Sequence, residues 1–298
     1  MNTRPLSVSP VAVITVAIVL AVGIAAYFHY SHLSVGGFVL GKKEDKSLST
    51  ARLVEKADRE SRAGNFKAAL AAIDEAIRID KADIRLLHKR GNIYMSMHDN
   101  DRAIENFSLS LALNALNDQA LLDRGSCYFA TRAYQRAMAD YQTILTIKES
   151  RYRKEAKLGE ALCHYSLGQY GLAIHQCRDL VKSYPGYIKA LEVLANSYLS
   201  EASYLDAIDT YTRGLRLDHK NGDLYYGRAL AYYKNHMAEK ALSDLKKVVE
   251  LCPQNIDYHL KLATVAKDLK QPELAQSEAK AVLKLSPDNK EAQAILAQ

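Results

Sequence analysis

The chain has 298 residues, of which 48% are apolar and 25% are charged, so it can bury a substantial core and is neither disordered nor collagen-like. Its net charge of +6 is spread over 40 basic and 34 acidic residues rather than gathered in a tail, which is weak evidence for an anionic partner. The four cysteines lack the spacing of zinc and redox sites, so they indicate small buried side chains and predict no metal or cofactor.

An apolar segment follows the N-terminal tail, residues 1–10. From Val11 to Phe28 the sequence has no formal charge for 18 residues. At about 1.5 Å per residue, a helix of that length spans roughly the hydrocarbon thickness of a bilayer. Tyr27, His29 and Tyr30 stand where the interfacial side chains of a membrane helix would be. The sequence therefore predicts a single transmembrane anchor over residues 11–30 and a linker over residues 31–49.

The same segment has a second interpretation, a cleaved signal peptide. Arg4 would be its positive region, and Ala25 or Ala26 its cleavage site. The apolar run is longer than the roughly 7 to 15 residues usual for a signal, which favours the anchor. Basic residues occur on both sides, with Arg4 before the segment and Lys42 and Lys43 after it, so the side of the membrane that the rest of the chain faces stays open.

The remainder of the chain repeats itself with a period of 34 residues. One two-residue insertion, Tyr152 and Arg153, separates the third unit from the fourth. The seven units are residues 50–83, 84–117, 118–151, 154–187, 188–221, 222–255 and 256–289. Residues 290–298 can form one more short helix that caps the end of the array.

Three positions of the repeat reveal what each unit needs. Position 20 is Ala in all seven units: Ala69, Ala103, Ala137, Ala173, Ala207, Ala241 and Ala275. Position 8 is Ala or Gly: Ala57, Gly91, Gly125, Ala161, Ala195, Ala229 and Ala263. Position 28 is aliphatic: Ile77, Leu111, Leu145, Val181, Leu215, Val249 and Leu283. Small side chains let two antiparallel helices approach closely, and the aliphatic seam is buried only when neighbouring units stack.

These units resemble the tetratricopeptide-repeat family. The clearest matches are L-H-K-R-G-N-I-Y from Leu87 to Tyr94, L-L-D-R-G-S-C-Y from Leu121 to Tyr128, and the prolines at position 32, Pro185, Pro253 and Pro287. The resemblance implies an all-α, right-handed superhelical solenoid of seven helical hairpins, here preceded by the single transmembrane helix. It also implies that the first helices line a concave groove, with positions 2, 5, 9 and 12 facing inward.

The inward positions predict a binding groove for a protein or peptide with apolar anchors. Its apolar and aromatic residues are Leu122, Phe129, Leu158, Leu162, Tyr165, Tyr226, Leu230 and Tyr233. Asn92 and Asn196 can add amide hydrogen bonds to a peptide backbone. The alternative is that some of these side chains pack against the neighbouring repeat.

Family members that bind chaperone tails hold the terminal carboxylates with Lys at position 5 and Asn at position 9. Here His88 precedes Asn92 and Glu192 precedes Asn196, so we expect no carboxylate clamp and no chaperone-tail partner.

The sequence thus predicts a membrane-anchored scaffold or adaptor that mediates protein–protein interactions in the assembly or recruitment of a complex at a membrane. The repeats leave no room for a catalytic domain, so it is not expected to be an enzyme. A co-chaperone or receptor-like protein that binds client peptides is the alternative. A minority alternative is nucleic-acid binding through the basic run Lys148, Arg151, Arg153, Lys154 and Lys157. Such a run is usually a solvated loop, so nucleic acid is not the favoured partner.

Overall fold

The computed structural model of the chain describes residues 40–297, with side chains from Leu48 onward. This range forms seven helical hairpins and one additional helix, so an all-α solenoid is confirmed. The first helices of the hairpins are α1 Leu40–Arg62, α3 Ile84–Ser96, α5 Asp118–Ala130, α7 Arg153–Ser166, α9 Ile188–Ser200, α11 Gly222–Lys234 and α13 Ile256–Asp268. The second helices are α2 Phe66–Ile79, α4 Asn100–Leu113, α6 Tyr134–Thr146, α8 Tyr170–Ser183, α10 Tyr204–Leu217, α12 Ala238–Leu251 and α14 Pro272–Leu285, and α15 is Lys290–Leu296.

The N-terminal boundary of the helical array differs from the sequence prediction. Helix α1 begins at Leu40, ten residues before the first repeat, so residues 40–49 are helical although we expected them in a linker. The predicted transmembrane segment, residues 11–30, lies outside the described residues. None of the helices that the structure describes is long and apolar enough to cross a membrane.

The small residues of the repeat lie where helices cross. Every alanine at position 20 is at most 3% exposed, and the position 8 residues are buried as well. The missing side chains make room for aromatic rings from the second helices. The ring of Tyr141 on α6 fills the space beside Gly125 and Gly159, where an added Cβ would come within 2.7 Å and 2.5 Å of it. Glycine at these two positions therefore lets α6 pack tightly between α5 and α7.

Each hairpin turn contains a residue in the left-handed backbone conformation, always at position 15 of the repeat. These residues are Gly64, His98, Arg132, Gly168, Ala202, His236 and Lys270, with φ between 54° and 77°. A residue of this kind ends a helix by letting the following N–H groups bond back to the last turn. Five of the seven turns use a residue other than glycine, which costs conformational energy.

The solenoid curves so that the first helices lie on its inner side. The first helices α3, α5, α7 and α9 each contact the next one along the array, whereas the described second helices make no comparable contacts with one another. The buried side chains form seven separate clusters along the array instead of one central core. Stability therefore comes from packing within hairpins and between neighbouring hairpins along the whole array.

Candidate peptide-binding groove

The ten predicted groove residues all lie on first helices, from Asn92 on α3 to Tyr233 on α11, and nine of them are half-buried. We call the inner surface of α3, α5, α7, α9, α11 and α13 the groove. Three aromatic pairs lie along the groove. Phe129 lies 5.4 Å from Tyr134 between ring centroids, and Tyr165 lies 5.6 Å from Tyr170. Each of these two rings from a first helix therefore packs on a ring of its own hairpin.

The third aromatic pair joins two neighbouring first helices. The centroid of Tyr226 on α11 lies 4.7 Å from that of Tyr258 on α13. The hydroxyl of Tyr233 donates a hydrogen bond of 2.5 Å to Asp268, and the Lys261 ammonium lies 4.4 Å from the centre of the Tyr233 ring. The last part of the groove is thus rich in tyrosines with fixed orientations.

Leu158 is not available to a partner. It is only 7% exposed and belongs to the buried cluster that includes Ala161, Leu191 and Leu194, so its prediction as a groove residue is corrected. The physical reason is the close approach of α9 to α7 at this point. Leu122 and Leu162 pack against buried clusters while keeping part of their surface exposed, and Leu230 is half-buried.

The two asparagines of the groove differ in their hydrogen bonding. The Oδ1 atom of Asn196 accepts a hydrogen bond from the hydroxyl of Tyr211. The Oδ1 atom of Asn92 is buried and has no hydrogen-bond partner. A buried acceptor without a partner is costly, so Asn92 is the stronger candidate to receive an N–H from a bound peptide.

Hydrogen bonds between successive first helices recur at a separation of 35 residues. Nε2 of His88 lies 2.7 Å from the Asp123 carboxylate, and the hydroxyl of Tyr258 donates a 2.8 Å hydrogen bond to Asp223. The Tyr233–Asp268 bond has the same separation. These bridges were not predicted from the sequence. Complementary side chains one residue beyond the repeat period are the signal that could have revealed them.

The electrostatic environment changes along the groove. Burial and the nearby carboxylate of Asp223 raise the pKa of Glu192 on α9. Burial and the neighbouring ammonium of Lys234 lower the pKa of Lys261 on α13. Charged forms are therefore disfavoured on both side chains, as expected where first helices exclude water.

A cavity of about 600 Å³ lies between α1 and α3, outside the predicted groove residues. Val54 and Leu86 contribute apolar lining, and Nζ of Lys89 crosses from α3 to the Asp58 carboxylate of α1 at 2.6 and 2.7 Å. The inner surface thus extends as far as the first hairpin. Among the described residues, no group of three or more His, Cys, Asp or Glu side chains could hold a metal ion.

Stacked helical hairpins whose first helices line an inner surface define the class of α-helical repeat proteins. The family model described as tetratricopeptide repeat matches residues 88–152 and 193–256. This match shows that the chain contains tetratricopeptide repeats in these two segments, and the fold agrees with it.

Several known proteins are similar to this chain. A tetratricopeptide-repeat protein of known structure from Parabacteroides merdae superposes with a TM-score of 0.66 at 19% identity, covering 84% of this chain and 98% of that one. Human sperm-associated antigen 1 is 23% identical over 258 residues, which are 76% of this chain and 28% of that protein. The Hsp70-Hsp90 organizing protein of Triticum aestivum is 23% identical over 261 residues, 78% of this chain and 42% of that protein. The chain thus spans less than half the length of these two curated relatives.

Proposed function

We propose that this protein is an adaptor that holds a protein partner through apolar anchors in its groove. The carrying observation is the set of half-buried aromatic side chains on the first helices α5, α7 and α11, namely Phe129, Tyr165, Tyr226 and Tyr233. Partly exposed rings that are already oriented lose little side-chain entropy when a partner covers them. An amphipathic helix or an extended peptide with large apolar side chains matches such a surface.

The carboxylates that already contact His88 and Lys89 on α3 argue against a carboxylate ligand there. His88 faces the Asp123 carboxylate, and Lys89 is bonded to Asp58. A peptide carboxylate would have to displace these anionic partners. The co-chaperone alternative, which the organizing protein of wheat suggests by its name, would therefore need a recognition mode other than the carboxylate clamp.

The groove assignment can be tested by site-specific photo-crosslinking in intact cells. A photoreactive residue at Tyr165 or Leu230 should crosslink one defined protein, whereas the same residue at the exposed Ser243 of α12 should not. A peptide from the crosslinked region should then bind purified Phe129→Glu and Tyr165→Glu variants at least about tenfold more weakly than the unmodified protein, as expected for central anchors.

Leu109→Glu is the matched control, because Leu109 is an exposed residue of the second helix α4. It should bind the peptide normally. The groove assignment would be wrong if both groove variants bound the peptide with unchanged affinity and melted at the same temperature as the unmodified protein.

We further propose that residues 11–28 anchor the protein in a membrane, so that the partner is recruited there. The support is the uncharged 18-residue composition of this segment. The full-length chain should remain in the membrane pellet after alkaline carbonate extraction, and deletion of residues 11–28 should release it. A mature protein whose mass lacks residues 1–25 or 1–26 would show a cleaved signal peptide instead. Protease accessibility in sealed membranes then tells which side the repeats face.

A further inference from the structure

Two neighbouring turns carry a basic and aromatic surface that the groove does not use. They are the α6–α7 turn, residues 147–152, and the α8–α9 turn, residues 184–187. We call this surface the basic turn patch. Its residues are Lys148, Arg151, Tyr152, Lys154, Lys157, Tyr184 and Tyr187. Residues 148–157 contain five cationic side chains and two carboxylates, Glu149 and Glu155, which leaves a net charge of +3. One of the cations, Lys154, lies with its Nζ 3.5 Å from the Glu155 carboxylate.

Internal hydrogen bonds hold the α6–α7 turn in place. The hydroxyl of Ser150 donates to Asp118 at 2.7 Å, and Nη1 of Arg153 donates to the carbonyls of Leu145 and Ile147 at 2.6 and 3.1 Å. The side chain of Arg153 therefore stabilises the turn and is not counted among the residues available to a ligand. Lys148 and Arg151, by contrast, are exposed beside it.

Tyrosine rings lie between the cations of the patch. Nζ of Lys154 lies 4.7 Å from the centre of the Tyr187 ring and 5.8 Å from that of Tyr184. The Arg151 guanidinium lies 4.8 Å from the centre of the Tyr152 ring. Tyr184 is 45% exposed, which is more than any other tyrosine or phenylalanine in the described part of the chain.

The two turns also lack the capping side chain that accepts a backbone hydrogen bond at the start of the next helix in comparable turns. Asp83, Asn117, Asn221 and Asn255 accept a hydrogen bond from the first turn of α3, α5, α11 and α13. The corresponding residues before α7 and α9 are Tyr152 and Tyr187, which make no such bond. The patch therefore has no side-chain carboxylate or amide at the place where the other turns have one.

We infer that the basic turn patch binds single-stranded nucleic acid, with Lys148, Arg151, Lys154 and Lys157 at the phosphates and a base stacked on Tyr184. Cations that follow a phosphate backbone and interleaved aromatic rings are the two elements of sequence-tolerant single-strand binding. An acidic peptide would use the cations but not the rings. A bilayer surface is less suited, because neither turn contains an exposed leucine, isoleucine or phenylalanine.

Fluorescence anisotropy of a labelled 20-nucleotide oligouridylate tests the inference with the full-length chain in a nonionic detergent. The logarithm of the binding constant should fall with the logarithm of the salt concentration with a slope of about −3, as expected for four phosphate contacts of a single strand. Lys154→Ala should weaken binding and reduce that slope by about 0.7. Tyr184→Ala should weaken binding at least about fivefold with an unchanged slope, because stacking carries no net charge.

Lys240→Ala is the matched control, since Nζ of Lys240 also lies over a tyrosine ring, 5.6 Å from that of Tyr232, but outside the patch. It should leave both affinity and slope unchanged. Equal losses for Lys240→Ala and Lys154→Ala, or no binding at 50 mM salt, would overturn the inference. Displacement of the oligonucleotide by decaglutamate or by glycerophosphoserine, at equal charge concentration, would overturn it in favour of an acidic peptide or an anionic lipid. The circular dichroism spectrum of each variant should equal that of the unmodified protein, which shows that a loss of binding is not caused by unfolding.

Discussion

Arg124 and Asp140 form a two-point ion pair inside the third hairpin. Nε of Arg124 donates to Oδ2 of Asp140 at 2.9 Å, and Nη2 donates to Oδ1 at 2.7 Å. Nη1 of the same guanidinium reaches back to the hydroxyl of Ser108 on α4 at 3.0 Å. One arginine on a first helix thereby connects the second helices on either side of it. The hydrogen bond to Asp140 accordingly raises the pKa of Arg124.

Removal of this arginine should destabilise the array strongly. Asp140 is only 5% exposed, so Arg124→Met would leave a buried carboxylate without its cation. We expect a loss of about 3 kcal/mol in the free energy of unfolding by urea, whereas the double variant Arg124→Met/Asp140→Leu should lose less than the single variant. The exposed pair Lys247–Glu250 is the control, because Glu250→Gln should leave the unfolding midpoint unchanged. A double variant no more stable than Arg124→Met would contradict the interpretation.

Substitutions of the left-handed turn residues should change the stability in opposite directions at equivalent positions. Ala202 and Gly168 both occupy position 15, with φ of 61° and 73°. Ala202→Gly should raise the stability by about 1 kcal/mol, because glycine adopts this conformation without a Cβ clash. Gly168→Ala should lower it by a similar amount, although an added Cβ would have nothing within 4 Å. Thermal denaturation of the two variants checks this, and equal signs would refute it.

Overpacking at a helix crossing should be costly. Ala137 on α6 is completely buried, and a leucine there would have to displace the side chains of its cluster. Ala137→Leu should therefore destabilise by roughly 1 to 3 kcal/mol. Ala139→Leu is the matched control, because Ala139 is exposed on the same helix and should change the stability little. If both variants melt like the unmodified protein, position 20 is not a crossing point.

Glu192 predicts a pH-dependent difference in stability. Burial and Asp223 raise its pKa above the ordinary 4.5, so the folded state favours the protonated carboxyl. The resulting stabilisation is present below pH 4.5 and is lost as the pH rises through the raised pKa. Glu192→Gln, which carries no charge, should melt higher than the unmodified protein at pH 7, and the difference should shrink at pH 4. Glu75→Gln, at an exposed position of α2, should show no such trend.

The buried cysteines should be unreactive in the folded protein. Burial raises the pKa of Cys127 to about 11 and those of Cys163 and Cys177 to about 12, so little thiolate is present at pH 8. A disulfide reagent at that pH should modify the half-buried Cys252 first and the other three thiols only after addition of urea. Mass spectrometry of the labelled peptides distinguishes the sites. Rapid labelling of Cys163 in native buffer would contradict the packing described above.

The repeated residues made most of the fold predictable. Alanine at position 20, exemplified by Ala137, points directly to helix crossings, because a small side chain at a fixed step has few other physical causes. The turn conformation was less visible. Gly64 and Gly168 signal a left-handed residue, whereas His98 and Ala202 do not, since the hairpin imposes the conformation against their own preference.

The groove was predictable by helix and face but not by individual side chain. Leu158 and Leu230 occupy similar inward positions, yet only Leu158 is buried, because burial depends on how closely the next first helix approaches. Tyr258 was missed because its contact with Tyr226 lies between helices of different repeats. Periodicity describes one unit at a time, whereas these contacts depend on the relation between two.

Helix α1 projects as a continuous helix beyond the N-terminal end of the array. The ten helical residues that precede Thr50 extend about 15 Å beyond the first repeat. A rotation applied at Leu40 is thus transmitted to the hairpins through a continuous backbone, where a loop would have absorbed it. In the function proposed above, the orientation of a bound partner would therefore depend on the direction from which the chain enters α1. Insertion of a flexible Gly-Ser stretch at residue 47 would separate recruitment of a partner from its orientation.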